Sequence, residues 1–529
     1  MKTEWALLDA PSISTELIGC RPARLSGKLS RHKLDRGVRV LCPRAAATLT
    51  PASVVTSRPQ IKHGEHLEAQ LGPLGQSLVQ QVEAQRMGLE EKPGDADRSN
   101  FKLHSTVDFW TNCEADVPGA RSHGAFNMLS EFVQGLSSGM SEAGMFTSPL
   151  AAAYWAYHLT RTSFMTVQGL SGLLAVIAAA GAEGDIAAAR DTKLGQLWEM
   201  RMFDDTKSAL SPFVEPFLMY HQDFKNIEAG VYKLPWDMTS LRNKQYDPLH
   251  VMRTALTFAS EASSTMQRRM RGSPDRVWLD SSMYPSYYLN TFHYQTDGWF
   301  SEKSASVYET STETLFLGRQ DAMQRQSLVP LHSFMQARSS LGHSQGEHTS
   351  MLEVACGTGR FATFVKDNYP HMSYTALDLS PYYLYEARTN IKEWHRLRQP
   401  KLSMGGVDGS GAHFLQGAAE DIPQPAASHH VVLCIYLFHE LPPDVRRTAA
   451  KEMVRVLKPG GLLILTDSVQ LGDRLPLDDG LGQFSDFNEP YYKTYIAEDL
   501  GKMFSDFGLE CDEKFLASST KVLSFRKPL

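Results

Sequence analysis

The sequence predicts an α/β fold: a doubly wound, mostly parallel sheet with a terminal antiparallel hairpin strand, preceded by a mainly helical segment. Three observations predict it. From residue 351 onward short apolar runs alternate with amphipathic stretches, the rhythm of repeated strand and helix units. The first apolar run ends in a glycine loop, Cys356-Gly357-Thr358-Gly359, and an acid, Asp378, follows 19 residues later. Between about 105 and 335 helix formers dominate and alternating patterns are scarce.

The 529 residues carry 53 basic and 59 acidic side chains, a formal net charge of −6. At ~150 residues per domain there is room for two or three domains. With 42% apolar residues and a mean hydropathy of −0.29, the composition is that of a globular chain rather than a disordered or fibrous one. The slight acidity opposes a nucleic-acid partner, which calls for a basic surplus. Six scattered cysteines form no C-x-x-C pair, so neither a metal site nor a disulfide framework is expected. The smoothest apolar stretch, Leu170 to Ala182, is short of the ~20 residues of a transmembrane helix, although peripheral membrane contact is compatible with the sequence.

Taken in order, residues 1–60 are set apart by charge. From Gly19 to Arg58 there are nine lysines and arginines and one acid, Asp35. Such a basic, Ser- and Ala-rich leader is expected to be a disordered transit peptide, and its small residues favour the plastid, stroma or thylakoid periphery, over the mitochondrion. Residues 61–104 read as disordered or linker, with Gly88 to Asn100 (GLEEKPGDADRSN) the clearest part. Residues 105–335 form the helical domain, with helices expected at Pro149 to Tyr157, Gly169 to Ala189, His250 to Arg271 and Glu313 to Phe334. A polar linker, 336–350, separates it from the domain 351–529.

In that last domain, strand Met351 to Ala355 enters the glycine loop, helix Arg360 to Asn368 follows, and strand Tyr374 to Leu377 ends at Asp378. Ser380-Pro381 opens the next helix. Strand Val431 to Phe438 leads into His439-Glu440-Leu441-Pro442 and a helix. A Lys458-Pro459-Gly460-Gly461 turn then enters strand Leu462 to Thr466, and Phe515 to Phe525 reads as the terminal hairpin strand. Glycines let the backbone approach a nucleotide-like cofactor, and the acid at the second strand's tip accepts ribose hydroxyls. Gly357-x-Gly359-x-x-Ala362 also satisfies the nicotinamide fingerprint. Glu353, just before the loop, better suits a cofactor with a cationic amino group than one with a pyrophosphate.

The segments LEVACGTGR (Leu352 to Arg360), TALDLSP (Thr375 to Pro381), GAAEDIP (Gly417 to Pro423), FHELP (Phe438 to Pro442) and EMVRVLKPGGLLILTDS (Glu452 to Ser468) carry a resemblance. In this order they resemble class I S-adenosylmethionine-dependent methyltransferases, in particular the type 11 branch of quinone and sterol C-methyltransferases. The resemblance covers about a third of the chain. It implies a Rossmann-like domain, S-adenosylmethionine as cofactor and a small, hydrophobic methyl acceptor such as a quinone, pigment or lipid intermediate. By resemblance, Glu353 and the loop Ala355, Cys356, Gly357, Thr358 and Gly359 hold the methionine end, Asp378 the ribose and Leu379 the adenine. Glu420 or Asp421 lies near the adenine amino edge, because Ala418 stands where the family often has an acid. Ala355 replaces a common glycine, a departure expected to cost little. Cys356 reads as a buried small thiol rather than a catalytic one.

Methyl transfer relies on proximity and electrostatics, and a general base helps where the acceptor is a phenol, enol or acidic carbon. His439 is the first candidate base, since it follows a strand's carboxyl end, where ligands bind in open α/β sheets; packing or capping is the plainer role. Glu440 is a second candidate, or a surface residue of the next helix. Tyr284 to Trp299 (YPSYYLNTFHYQTDGW) concentrates aromatics around a third, His293. With the stretch from Tyr308 to Arg325 it resembles the lead-in helices of the superfamily, and uncharacterised plastid and cyanobacterial methyltransferase-like proteins. It is expected to form a lid of Tyr294, Tyr308, Arg319 and Gln320, or else ordinary interdomain core. The insert Gly472 to Tyr495, with Asp486, Phe487, Asn488, Glu489, Tyr491 and Tyr492, is the expected acceptor region. The rival of a different class is a non-catalytic cofactor-binding or assembly protein on the same fold.

Overall fold

A computed structural model describes residues 100–113, 148–182, 211–239, 244, 248–270, 282–289, 295–339, 342, 345–401, 409–482 and 489–529. All of them fall within one compact unit, 37–529. The sequence expectations for residues 1–60 and 61–99, and for His293, Tyr294, Asp486, Phe487 and Asn488, lie outside the described residues.

Eight strands build one sheet: β1 (Lys102–Leu103), β2 (Ser350–Val354), β3 (Ser373–Asp378), β4 (Ala412–Gln416), β5 (His429–Ile435), β6 (Leu457–Ser468), β7 (Glu510–Ala517) and β8 (Thr520–Arg526). Their order is β1-β7-β8-β6-β5-β2-β3-β4. Every neighbouring pair is parallel except the two that involve β8, which runs antiparallel to both β6 and β7. β2 and β5 lie at the centre and are buried on both faces, which is why they read as continuous apolar runs rather than alternating ones. The chain winds from β2 outward through β3 to β4, then returns to β5 on the other side of β2. The carboxyl ends of β2 and β5 therefore flank the switch point, where an open α/β sheet has its crevice.

The helices are α1 (Ser105–Thr111), α2 (Pro149–Ala182), α3 (Ser211–Glu228), α4 (Pro248–Met270), α5 (Glu302–Leu315), α6 (Gln320–Arg325), α7 (Leu328–Ser339), α8 (Arg360–Asn368), α9 (Pro381–Arg398), α10 (Pro443–Val456), α11 (Asp478–Leu481), α12 (Tyr492–Tyr495) and α13 (Leu500–Asp506). One core joins Tyr154 of α2, Met219 of α3, Met323 of α6 and Leu331 of α7 to Phe361 of α8, Leu384 of α9 and the sheet. On the opposite face Trp110 of α1, Met453 of α10 and Phe504 of α13 pack together. Helices 149–339 thus share their core with the sheet.

Local chemistry explains where the elements depart from the pattern. The two helices expected at Pro149 to Tyr157 and Gly169 to Ala189 are one continuous helix through Ala182; the intervening Thr160, Thr162 and Ser163 stay helical, Thr160 by bonding back to the Ala156 carbonyl. The single helix expected over Glu313 to Phe334 is broken instead. Leu317 and Gly318 adopt left-handed φ of 52° and 83°, and the Gly318 N–H closes on the Glu313 carbonyl at 2.7 Å, a helix stop. The single hairpin strand expected at Phe515 to Phe525 is two strands, turned at Ser518 with φ 57°. β4 had no sequence expectation, and the end of the stretch expected to be disordered or linker is instead ordered, with Lys102–Leu103 paired to β7 and Phe101 buried.

Candidate active site

The loop after β2 is fixed by Asp378 at the tip of β3. The Gly357 N–H donates to Asp378 Oδ2 at 2.9 Å and the Ser380 N–H to Oδ1 at 2.8 Å. Burial pushes the Asp378 carboxyl up to about 6, and these backbone donors limit the rise. Each oxygen keeps a lone pair beyond the bond it already accepts. Gly357 and Gly359 have φ of 54° and 67°. A methyl at Gly359 would meet the Ala387 Cβ at 2.8 Å, so only glycine lets α9 close on the loop. Ala355 also sits at φ 58° and Tyr436, just past β5, at 53°. Two non-glycine residues in left-handed backbone thus end the two strands that flank the switch point, where strain marks functional geometry.

Above this loop lies a partly open cavity whose empty space, its mouth included, is about 750 Å³. Ala355, Gly357, Asp378 and Leu379 form its floor, and Tyr288, Trp299 and Tyr308 face them. The aromatic wall is packed as a unit: Trp299 lies 5.8 Å from the Tyr308 ring and 5.1 Å from Tyr383, with Tyr288 stacked on it at 6.4 Å. Helix α5 is pinned to the loop through Glu309, which accepts from the Thr358 hydroxyl at 2.9 Å and from Asn390 at 3.0 Å. Tyr308 is thereby set over Gly357, where a Cβ would lie 4.0 Å from its ring.

Next to Glu440, which lines the cavity, lies a buried acidic cluster. His439 Nδ1 contacts Asp467 Oδ1 at 2.5 Å, and Asp467 also accepts the Phe438 and Ser468 backbone N–H groups. An acceptor-only carboxylate requires the imidazole to donate, so Nδ1 carries a proton. Burial works against charge on the ring, but Asp467 outweighs it, and with Glu440 and Glu489 nearby the imidazole is pushed up to about 10. Nε2 faces Glu440 Oε1 at 3.7 Å. Glu440 lines the cavity beside Tyr436, Leu437 and Leu441.

Residues 351–461 match the family model described as a methyltransferase domain. By this match the segment resembles a methyltransferase domain. Among curated proteins, the chain is 38% identical over 117 residues to a phthiotriol/phenolphthiotriol dimycocerosates methyltransferase of Mycobacterium ulcerans, covering 22% of this chain and 36% of that one. It is 29% identical to a fatty-acid O-methyltransferase of Mycolicibacterium smegmatis, covering 29% and 47%, and 31% identical to a demethylmenaquinone methyltransferase of Deinococcus radiodurans, covering 25% and 46%. The chain spans between about a third and a half of these relatives' lengths. A solved S-adenosylmethionine-dependent methyltransferase of Aquifex aeolicus aligns at 16% identity and a TM-score of 0.26, covering 36% of this chain and 87% of that one.

S-adenosylmethionine is the cofactor of the methyltransferase domain, and the groups that line the cavity suit it. Asp378 presents spare lone pairs for ribose hydroxyls, Gly357 admits close approach, and the faces of Trp299 and Tyr308 suit a cationic sulfonium. Of the residues named from sequence, Ala355, Gly357, Asp378, Leu379, Tyr308 and Glu440 line the cavity together, with His439 buried next to Glu440. The others stand behind it. Glu353 is buried beneath the loop, accepting the Tyr374 hydroxyl at 2.5 Å, and burial raises its carboxyl to about 8. The Thr358 hydroxyl serves Glu309, Gly359 begins α8, and Cys356 is a buried thiol. Glu420 accepts the Tyr287 hydroxyl at 2.7 Å and Asp421 is exposed, while Ala418 and Ala419 line the cavity. Arg319 bonds Ser518 and Glu215, and the Gln320 N–H donates to Glu313. Of the expected lid, Tyr308 reaches the cavity.

Sequence reading missed Tyr383, Tyr436 and Asp467. Asp467 had a signal, since it lies near the carboxyl end of β6, level with the crevice. Tyr383 and Tyr436 had none, being aromatics inside an apolar pattern.

Proposed function

We propose that this chain transfers a methyl group from S-adenosylmethionine to a small hydrophobic acceptor, a quinone, pigment or lipid intermediate, and that it does so in a plastid. The observation that carries the reading is the cavity at the switch point, floored by the glycine loop and Asp378 and walled by aromatic rings. The bound cofactor supplies an electrophilic methyl group. The chain's own part is to hold, orient and shield. Asp378 grips the ribose, Leu379 packs the adenine, and Tyr308 with Trp299 covers the cofactor and excludes water. Tyr436, Leu437 and Leu441 give the acceptor an apolar seat, and Glu440 stands among them with His439 buried next to it. Relatives named for phthiotriol dimycocerosates, a fatty acid and demethylmenaquinone support an apolar acceptor. The basic leader supports the plastid.

Calorimetric titration with S-adenosylmethionine tests the cofactor site. Asp378→Asn, which keeps the shape and loses the anionic acceptor, is expected to weaken binding at least about tenfold, the loss of one to two charge-assisted hydrogen bonds. Equal affinity in parent and variant would sink the reading. Comparing lipophilic metabolites of a loss-of-function line with its parent identifies the acceptor, and a reporter fused to residues 1–60 tests the address.

A further inference from the structure

We propose that His439, Glu440 and Glu489 form a binding site for one divalent first-row cation, of the Mn2+ or Zn2+ kind, at the acceptor end of the cavity. One ligand atom from each residue lies within 4.8 Å of the other two, and all three side chains are buried. His439 Nε2 and Glu440 Oε1 are 3.7 Å apart. That is beyond hydrogen-bond reach, and it is close to the separation of two ligands that share one ion through bonds of ~2.1 Å.

The second ring nitrogen supplies an independent reason. Nδ1 is committed to Asp467 at 2.5 Å, and Asp467 is itself held by the Phe438 and Ser468 backbone N–H groups. A carboxylate behind the imidazole is the contact that fixes the tautomer and aim of a metal-binding histidine. Here it turns Nε2 into the cluster, 3.7 Å from Glu440 Oε1, where without an ion the charged ring faces that carboxylate and where a bound cation takes the place of the Nε2 proton, which is released to solvent. The rings of Tyr492 and Tyr495, each 6.0 Å from that of His439, hold the imidazole edge-on from the side.

The donor set decides the kind of ion. One imidazole and two carboxylates without a thiolate suit Zn2+ or Mn2+ rather than a soft ion such as Cu(I). Three protein ligands leave coordination positions open, as catalytic sites do. Because Glu440 also lines the cavity, those positions face the acceptor region. An acceptor that brings a hydroxyl or carboxylate oxygen completes the shell, which narrows the acceptor class to oxygenated lipophiles. This role rests on the methyltransferase reading; the metal site stands on the residues alone.

The test uses the full chain, stripped with a chelator and titrated with Mn2+ alone, with free Mn2+ followed by electron paramagnetic resonance. One Mn2+ per chain is expected. Glu489→Gln and Asp467→Asn are each expected to weaken it about tenfold or more, while calorimetry on the same preparations reports S-adenosylmethionine binding and so confirms folding. A chain that binds S-adenosylmethionine but takes up no stoichiometric Mn2+ overturns the metal site and leaves the methyltransferase reading intact. Uptake indifferent to Glu489→Gln overturns it too. Uptake lost in Glu489→Gln, in a chain that ignores S-adenosylmethionine, upholds the site and removes the cofactor reading.

Discussion

Glu353 takes up a proton on folding, because burial lifts its carboxyl from an ordinary 4.5 to about 8. Between those two values the native state holds a proton that the unfolded chain has released, so stability falls as pH rises through that window. A neutral amide removes the slope. Glu353→Gln is therefore expected to match the parent near pH 4.5, to exceed it increasingly up to about pH 8 and to hold a constant advantage above that, measured as urea midpoints across pH. A stability difference independent of pH would count against it. Gly359 is a second single-residue test. Alanine there must hold a left-handed φ of 67° and push into Ala387, so Gly359→Ala is expected to lose about 2 to 4 kcal/mol, read from thermal or denaturant unfolding. The glycine loop and Asp378 were legible because their chemistry is local in sequence. The glycine common at the position of Ala355 was a sign of its left-handed φ, but alanine there was expected to cost little, and a φ of 58° makes it a strained residue instead. The bond from His439 to Asp467 was not legible, since it joins two strand ends 28 residues apart.

Helix α5 reaches the cofactor cavity through one pair of neighbours. Tyr308 covers the loop while Glu309 ties the helix to Thr358 and Asn390. The order of the loop and the position of the aromatic cover therefore depend on the same carboxylate. Glu309→Ala is expected to weaken S-adenosylmethionine binding about tenfold, the ~1.4 kcal/mol equivalent of losing two hydrogen bonds to a charged group at a half-buried site. The circular dichroism spectrum should stay unchanged. Affinity equal to the parent would show that α5 covers the cavity without setting it. Elements were legible where periodicity was strong: β2, α8, β3 and β5 stand where apolar runs and turn residues put them. The break at Leu317 and Gly318 was harder to see, because helix-forming residues continue on both sides and one backbone reversal decides it. β4 is short, with only its first residue fully buried, and so carried little apolar signal.

At the scale of the whole molecule, the helices from 149 to 339 are joined to one another, and through Arg360 to the sheet domain, by buried charge as well as by a shared apolar core. Arg325 of α6 donates twice to Asp223 of α3, at 3.0 and 2.6 Å, and Asp223 also accepts the hydroxyls of Tyr154 and Tyr232. Arg360, the first residue after the glycine loop, bonds Asp237 and Asp321, both from the helical segment. Removing one partner from such a pair leaves the other charge buried and alone, a cost of ~3 to 5 kcal/mol. Sequence alone separated these parts, since a polar stretch at 336–350 divides two compositional regimes, and charged residues such as Arg325 and Asp223 gave no sign of pairing across about 100 positions. Because the core that contains Met219, Met323 and Leu331 also contains Met351, Phe361 and Leu433, opening either part exposes the other. The described helices and the methyltransferase domain are thus expected to unfold in one calorimetric transition, and Asp223→Asn to lower that single transition without splitting it. Two resolved transitions in the parent, or a fragment starting at 345 as stable as the full chain, would show that the buried ion pairs join two independently stable bodies.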